Sequence, residues 1–329
     1  MAKGKKMKFI KIILIGFLLF SFSSNSMAFE KVGTTSFQFL KVITTARAAS
    51  LADAFTTLPA TSEAVFWNPA ALTRVQNISA SAGYVDWFLD VAHYSFSAAY
   101  TVEGIGTFGL QGLMTNVGDI EETTVNGLGY VNGVYIPGLT GKVFSPNATI
   151  LGLSYARDLN DRFAFGVTVK YAREDLVYKS VGAVMFDGGF TYNTGYKSIV
   201  IGAALRHFGP EVKFIDKSYP LPQTFNIGIS SYLISPYDPL IGNYGDHSLL
   251  VAYDLIQPRD YDQQHSVGVE YSFGEMLYLR GGYKFNSDQE GISTGIGLKF
   301  TNYTIDYAFN DYGDYLDAVH RFTIGFGIN

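Results

Sequence analysis

The chain has no cysteine among its 329 residues. That excludes disulfides, thiolate metal sites and a lipid-bearing N-terminal cysteine. Charge is scarce as well. Asp, Glu, Lys and Arg make up 16% of the residues, where a soluble globular domain carries about 25%. Part of the surface is therefore expected to meet something other than water. The 35 glycines follow no three-residue period and there are only 10 prolines, which excludes a collagen-like rod. Beyond the N-terminal segment no apolar run approaches the roughly 20 residues that a membrane-spanning helix needs. Aromatic side chains are what the chain has in quantity: 23 Tyr and 26 Phe beside two Trp.

The first residues read as an export signal. MAKGKKMK is basic, IILIGFLLF is apolar, and SNSMA ends in the small residues Ser26 and Ala28. This pattern predicts a secretory signal peptide over residues 1–28, cleaved near Ala28. The apolar run is too short for a retained anchor helix. Five of the 24 basic residues (Lys3, Lys5, Lys6, Lys8 and Lys11) lie there, so beyond it the 29 acidic residues outnumber the basic ones by ten. That balance argues against nucleic acid as a partner.

From about Asn77 onward the pattern has period two. In RFAFGVTVKYAR, Phe163, Phe165, Val167, Val169 and Tyr171 share one face, and Arg162, Ala164, Gly166, Thr168 and Lys170 the other. The same split recurs through VGVEYSF, YLRGGYKF, YTIDYAF and the closing HRFTIGFGIN. Segments of about ten alternating residues, parted by turn residues, predict an all-β transmembrane antiparallel barrel rather than a soluble sandwich. The segments fall near residues 77–87, 92–102, 105–118, 148–158, 161–173, 183–193, 198–208, 223–233, 247–256, 265–273, 276–286, 291–300, 302–310 and 320–329. About fourteen strands follow, an even count that places both chain ends on the periplasmic side. The long connections near 119–147, 209–222 and 311–319 then face outward.

The stretch AVFWNPAAL, Ala64–Leu72, does not alternate. Asn68-Pro69 reads as a helix start, with Asn as N-cap and Pro at the first helical position. Phe55, Trp67 and Leu72 are costly to leave in water. The nearby apolar space is the barrel interior, so residues 29–76 are expected to form a small plug, or hatch, with short helices, and residues 77–329 the barrel. Phe55, Trp67, Asn68, Pro69 and Leu72 are its candidate residues.

Chemistry is sparse. His93, His207, His247, His265 and His320 are scattered, without metal-ligand spacing. There is no nucleophile elbow and no Gly-rich loop opening a helix, so no catalytic residue, cofactor or metal is expected. Strand parity points Arg162, Lys170, Asp187, Arg206, Asp254, Glu270, Arg280, Lys284, Lys299 and Asp306 into the lumen. Arg280 and Lys284 face the Glu270 strand, and Lys299 the Asp306 strand. These charges are expected either to hold barrel and plug together or to line a path. In the outer connection, VNGLGYVNGVYIPGLTG is apolar and Gly-rich, and Tyr130, Tyr135 and Ile136 are candidate partner contacts.

ARAASLADAFTTLPATSEAVFWNPAALTRV resembles the N-terminal signature of the PorV/PorQ family of the FadL-like outer-membrane superfamily. VGDIEETTVNG, LGLSYARDLNDRFAFGVTVKYARE, LRHFGPEVKF and IDYAFNDYGDYLDAVHRFTIGFGIN continue the resemblance in order. Two departures stand out: Ser50-Leu51-Ala52-Asp53 replaces a Gly-Met-Gly-Gly, and Asn68-Pro69-Ala70-Ala71 an Asn-Pro-Ala-Gly. The resemblance implies a bacterial outer-membrane barrel in contact with lipid. It implies one of two functions, the first being the expected one and the second the alternative. One is a type IX secretion component that meets a translocon or cargo protein at its outer loops. The other is a FadL-like transporter of long-chain fatty acids or other hydrophobic compounds bound in the lumen, which leave through a gap in the wall. The Gly-rich GTFGLQGLM and GISTGIGLKF are the stretches expected to kink for such a gap.

Overall fold

A computed structural model describes residues 33–288, 290–313 and 316–328; the expected signal peptide, residues 1–28, lies outside the described residues. Eighteen strands follow a short helical segment. They are β1 (Ile78–Asp86), β2 (Ala92–Val102), β3 (Gly106–Asn116), β4 (Ile120–Val131), β5 (Val134–Phe144), β6 (Asn147–Asn160), β7 (Phe163–Leu176), β8 (Lys179–Asn193) and β9 (Val200–Phe208). The rest are β10 (Val212–Lys213), β11 (Ser218–Tyr219), β12 (Thr224–Ile234), β13 (His247–Pro258), β14 (Gln264–Phe273), β15 (Leu277–Phe285), β16 (Ile292–Phe300), β17 (Tyr303–Asn310) and β18 (Val319–Ile328). Fourteen of them form one closed antiparallel barrel, shut by β1 against β18 from Ile78↔Ile328 to Asp86↔His320. Closure leaves no strand edge around the ring, the condition under which a sheet can sit in lipid.

Alternation decides the two faces. Along β7, Val167, Val169 and Tyr171 are exposed and Phe163 and Phe165 half-exposed, while Thr168 is 1% and Lys170 3% exposed. Leu279 and Ile305 also point outward. The apolar side chains form the outer surface because the interior is the polar and small-residue face, the reverse of a soluble core.

The connection between β3 and β6 is not a loop. It is the separate β4–β5 hairpin, whose register slips between Glu121 and Leu128. β10 and β11 form a second, very short hairpin between β9 and β12. These and the other long connections share one mouth of the barrel, the loop mouth; most connections at the opposite turn mouth are short, and the exception is residues 235–246 between β12 and β13.

The plug fills the lumen. It comprises a 3-10 turn (Gln38–Lys41), two short helices (Ala46–Ser50 and Ala64–Trp67) and a second 3-10 turn (Pro69–Arg74). The first helix packs on β15 to β18, and the second 3-10 turn on β3, β6, β7 and β8. One expectation is overturned. The ends of the barrel do share the turn mouth, but the described chain begins at the other one: Thr35 and Ser36 are bonded to Asp260 and Pro220 in loop-mouth connections. An even strand count fixes where β1 starts and β18 ends; it does not constrain a segment running up the lumen.

Candidate functional site

The plug meets the wall at small residues. An added Cβ at Gly166 would overlap the backbone of Pro69 and Ala70. One at Gly109 would meet Val65 and Leu72, one at Gly189 Asn68, and one at Gly268 or Gly282 Leu51. These lumen-facing glycines let plug backbone approach strand backbone. Leu72 is wholly buried there. Pro69 opens the second 3-10 turn, and the Asn68 side-chain oxygen accepts from Ala70 N at 3.1 Å. The same amide donates to Thr56 O at 3.0 Å and to the wall carbonyl of Phe190 at 3.1 Å. Asn68 therefore caps a turn and fastens it to β8. Trp67 is 3% exposed but faces the plug's own core: its ring meets Phe55 and Phe66 edge-on at 5.2 and 5.9 Å, and Nε1 donates to Asp53 at 2.6 Å.

Polar side chains tie the plug to the barrel. Arg47 bonds both oxygens of Glu270 at 2.9 Å. Arg280 bonds Glu270 at 2.6 Å and also Asp306. To reach Asp306 it crosses β16 over Gly297, where a Cβ would collide with its guanidinium. Two cations and two anions thus form one neutral buried chain. Asp254 accepts the backbone N–H of Phe55 and Thr56 at 3.0 and 2.8 Å. Arg321, wholly buried, donates to Ile43 O at 3.0 Å and lies over the Trp87 ring. On the plug itself, burial, reinforced by Asp306 and opposed by Arg47, pushes the Glu63 carboxyl up to about 7.

Several sequence pairings are replaced by others. Lys284 bonds Glu290 in the following connection, not Glu270. Among the described residues Lys299 has no ion pair; it sits half-buried near the turn mouth, and the partner of Asp306 is Arg280. Arg162 does not enter the lumen. It is exposed in the turn between β6 and β7, where it lines an open pocket of about 510 Å³ with Arg74, Asp158 and Asp161. Parity misplaced it because the strand begins one residue later.

The ring closes, but the seam between β8 and β9 is paired over only part of the length of β8. β8 pairs with β9 from Asn193↔Val200 to Phe186↔Phe208, with a register shift between Phe186 and Gly188. His207 takes a left-handed φ of 59° and bonds its N–H to the Asp187 carboxylate at 2.7 Å instead of to a strand carbonyl. Lys170 lies 3.1 Å from the His207 ring and 2.5 Å from Asp187. Above this bulge Lys179–Met185 have no strand partner on the β9 side. Val212 and Leu221, with Phe37, Phe39 and Leu40 of the plug, pack against Met185 instead. The Gly-rich β3 and β16, the expected kinks, are paired along both edges. Glycine there serves the plug contact or lies in an unbroken ladder, so the break lies elsewhere. Beside it is an interior cavity of about 40 Å³ lined by Leu40, Leu113, Ile150, Gln111, Lys170 and Arg206. A cavity of about 150 Å³ takes a benzene ring, so this one is too small for an aromatic ligand until the plug or wall shifts. Gln111 Nε2 and Arg206 Nε have no partner there.

The β4–β5 hairpin is not paired into the ring, and its base meets Tyr178 of the β7–β8 turn through Glu122 and Phe144. Thr123 to Gly141 contains no charged residue. Tyr130 is 74% and Tyr135 55% exposed, their rings 5.6 Å apart, with Ile136 next to them at 36%.

No family model and no curated protein matches the chain. Its fold has solved counterparts. It is similar to a TodX deltaS2S3 mutant, a monoaromatic hydrocarbon channel, at 13% identity and TM-score 0.56, covering 87% of this chain and 98% of that one. A Pseudomonas aeruginosa FadL homologue aligns at 11% identity and TM-score 0.52 over 88% of this chain and 99% of that one. The P. putida toluene transporter TodX aligns at 12% identity and TM-score 0.52 over 84% and 96%. At these identities the likeness is one of fold: the chain is a plugged fourteen-stranded barrel of the architecture found in FadL-family outer-membrane proteins.

Proposed function

We propose that this chain is a non-enzymatic outer-membrane barrel that passes hydrophobic compounds between the cell exterior and the membrane, leaving through the break between β8 and β9. That break carries the reading. Among the described residues it is a place in the ring where strand pairing gives way to apolar side chains, from Met185, Val212 and Leu221 outside the ladder to Phe37 and Leu40 inside. Apolar packing parts at lower cost than a hydrogen-bonded ladder in lipid. The FadL-like fold, shared with a hydrocarbon channel and a toluene transporter, supports the same reading. The test is a disulfide across the break. Gly209 lies against Met185, with a would-be Cβ 3.2 Å from Met185 Cβ, close to disulfide reach. With Met185→Cys and Gly209→Cys, oxidation should stop uptake of a fluorescent fatty acid or an aromatic growth substrate, and reduction should restore it. Uptake at the same rate in both redox states would overturn the reading.

A second reading rests on a separate observation, the exposed outer part of the β4–β5 hairpin, residues 123–141, which carries no charge. An isolated two-stranded hairpin is marginally stable in water, and its apolar side chains suit a protein partner. This supports a PorV-like secretion role in which Tyr130, Tyr135 and Ile136 touch translocon or cargo. Deleting residues 123–141 should abolish surface delivery of cargo and spare small-molecule uptake; unchanged delivery would count against it.

A further inference from the structure

Residues 35–41 are held apart from the rest of the plug. Thr35 Oγ1 donates to Asp260 Oδ2 at 2.7 Å, and Lys41 Nζ bonds the same oxygen at 2.5 Å. Ser36 donates its N–H and its hydroxyl to Pro220 O at 2.9 and 3.1 Å. Gln38 closes the turn through Thr35 O at 2.8 Å. Phe37, 1% exposed and at a left-handed φ of 50°, is turned into the cluster with Phe214, Met185 and Leu221. Asp260 belongs to the connection from β13 to β14, and Pro220 and Phe214 to that from β9 to β12, all at the loop mouth. From there the chain descends: Ile43 O meets Arg321, Ala46 N meets Thr323, and Ser62 N meets Ser79. It reaches the turn mouth where Thr101 bonds Val75 O and Asn77 O. Gly33 and Thr34 are exposed at the opposite end from Ile328.

We propose that the plug is threaded through the whole barrel and fastened at the outer mouth by a clasp, Thr35–Lys41 on Asp260, which presents the chain at Gly33 and Thr34 on the outer face of the membrane while β18 ends on the inner one. The clasp is separable from the plug's main seat. Its polar contacts are with two connections at the rim, whereas Leu51 to Leu72 rest on glycines of the wall. A plug held at both ends cannot slide out toward the periplasm as a cork without first releasing Asp260. The inference does not depend on what the barrel carries.

The chain has no cysteine, so single-cysteine labelling with a membrane-impermeant maleimide tests it directly. Leu89→Cys reports the loop mouth and Leu159→Cys the turn mouth; the native residues are 82% and 61% exposed. In intact cells Thr34→Cys is expected to label together with Leu89→Cys, and Leu159→Cys only after permeabilisation. If Thr34→Cys behaves like Leu159→Cys, or if Leu89→Cys is itself protected in intact cells, presentation on the outer face is wrong. Phe37→Cys reports the clasp. It should be protected in the native background and become labelled in intact cells when Asp260→Ala is added. Should Asp260→Ala fail to give a heat-modifiable, closed barrel, the pair Thr35→Val and Lys41→Met breaks the same contacts from the plug side. Continued protection of Phe37→Cys in a closed barrel lacking those contacts would overturn the clasp.

Discussion

Asn68 shows how one side chain can serve local and tertiary structure together. Its oxygen accepts from Ala70 N, and its nitrogen donates to Thr56 O and to Phe190 O on β8. Replacing it by Asp keeps the cap and turns two donations into carboxylate–carbonyl repulsion. Asn68→Asp is therefore expected to cost more than the roughly 0.5–2 kcal/mol of a lost cap, on the order of 2–4 kcal/mol with two buried carbonyls unpaired. Limited proteolysis of the plug in detergent compares it with Asn68→Ala, and equal protection would refute the clamp. Glu63 is a plug residue whose charge opposes folding. Burial lifts its carboxyl from 4.5 to about 7, so the folded plug holds a proton that the unfolded segment gives up. Its contribution is complete below pH 4.5 and is lost as pH rises to about 7. Arg47, Arg280 and Asp306 are the charges acting on it. Glu63→Gln should flatten plug stability between pH 5 and pH 8, protecting most at pH 8; an unchanged pH profile would exclude Glu63 as its source.

Among elements, the contact between the second 3-10 turn and the wall is the most demanding. Gly166 on β7 has plug backbone where a Cβ would stand, whereas an added Cβ at Gly112 would stand 3.8 Å from its nearest neighbour, a Leu151 methyl. Gly166→Val should unseat the turn and expose Pro69–Arg74 to protease, while the barrel still closes and shifts on a gel when heated. Gly112→Val should leave the plug protected. Protection in both would mean that the wall yields rather than the plug. The Ala52-Asp53 pair follows the first plug helix, Ala46–Ser50. Both residues take left-handed φ, 53° and 66°, at the two positions where the resemblance leads one to expect Gly-Gly. Asp53 is nonetheless used, since its carboxylate accepts the Trp67 N–H.

For the whole molecule the determining property is the inversion of faces. Phe165 looks toward lipid and Thr168 toward the lumen. Phe165→Arg should therefore destabilise the barrel by about 2–4 kcal/mol if it lies near the bilayer midplane, and Thr168→Arg should be milder in the folding equilibrium while crowding the plug. Urea unfolding in lipid vesicles separates the two. The reverse order would put the strand's faces the wrong way round.

The sequence by itself determined the strands. Period two over ten residues survives any environment, because side chains of a strand must alternate, and all fourteen barrel strands fall within a few residues of their expected places. It also determined that something must bury Trp67 and Leu72, because apolar side chains need a dry site wherever the chain runs. Several features were decided only in three dimensions. Parity counts residues along one strand, so it could not show that Arg280 passes Lys299 to reach Asp306 over Gly297, or that Arg47 of the plug completes the network. Arg321 was legible by parity, sharing a face with Thr323, yet its partners Ile43 O and Asn310 lie on other elements. The hairpin in residues 120–144 read as loop because its register is irregular and neither face is buried, so its alternation carries no consistent signal. The break beside β8 arises from a register mismatch between two strands, and the direction of the plug from which mouth offers Asp260. Both are relations between segments far apart in the chain, which local periodicity does not encode.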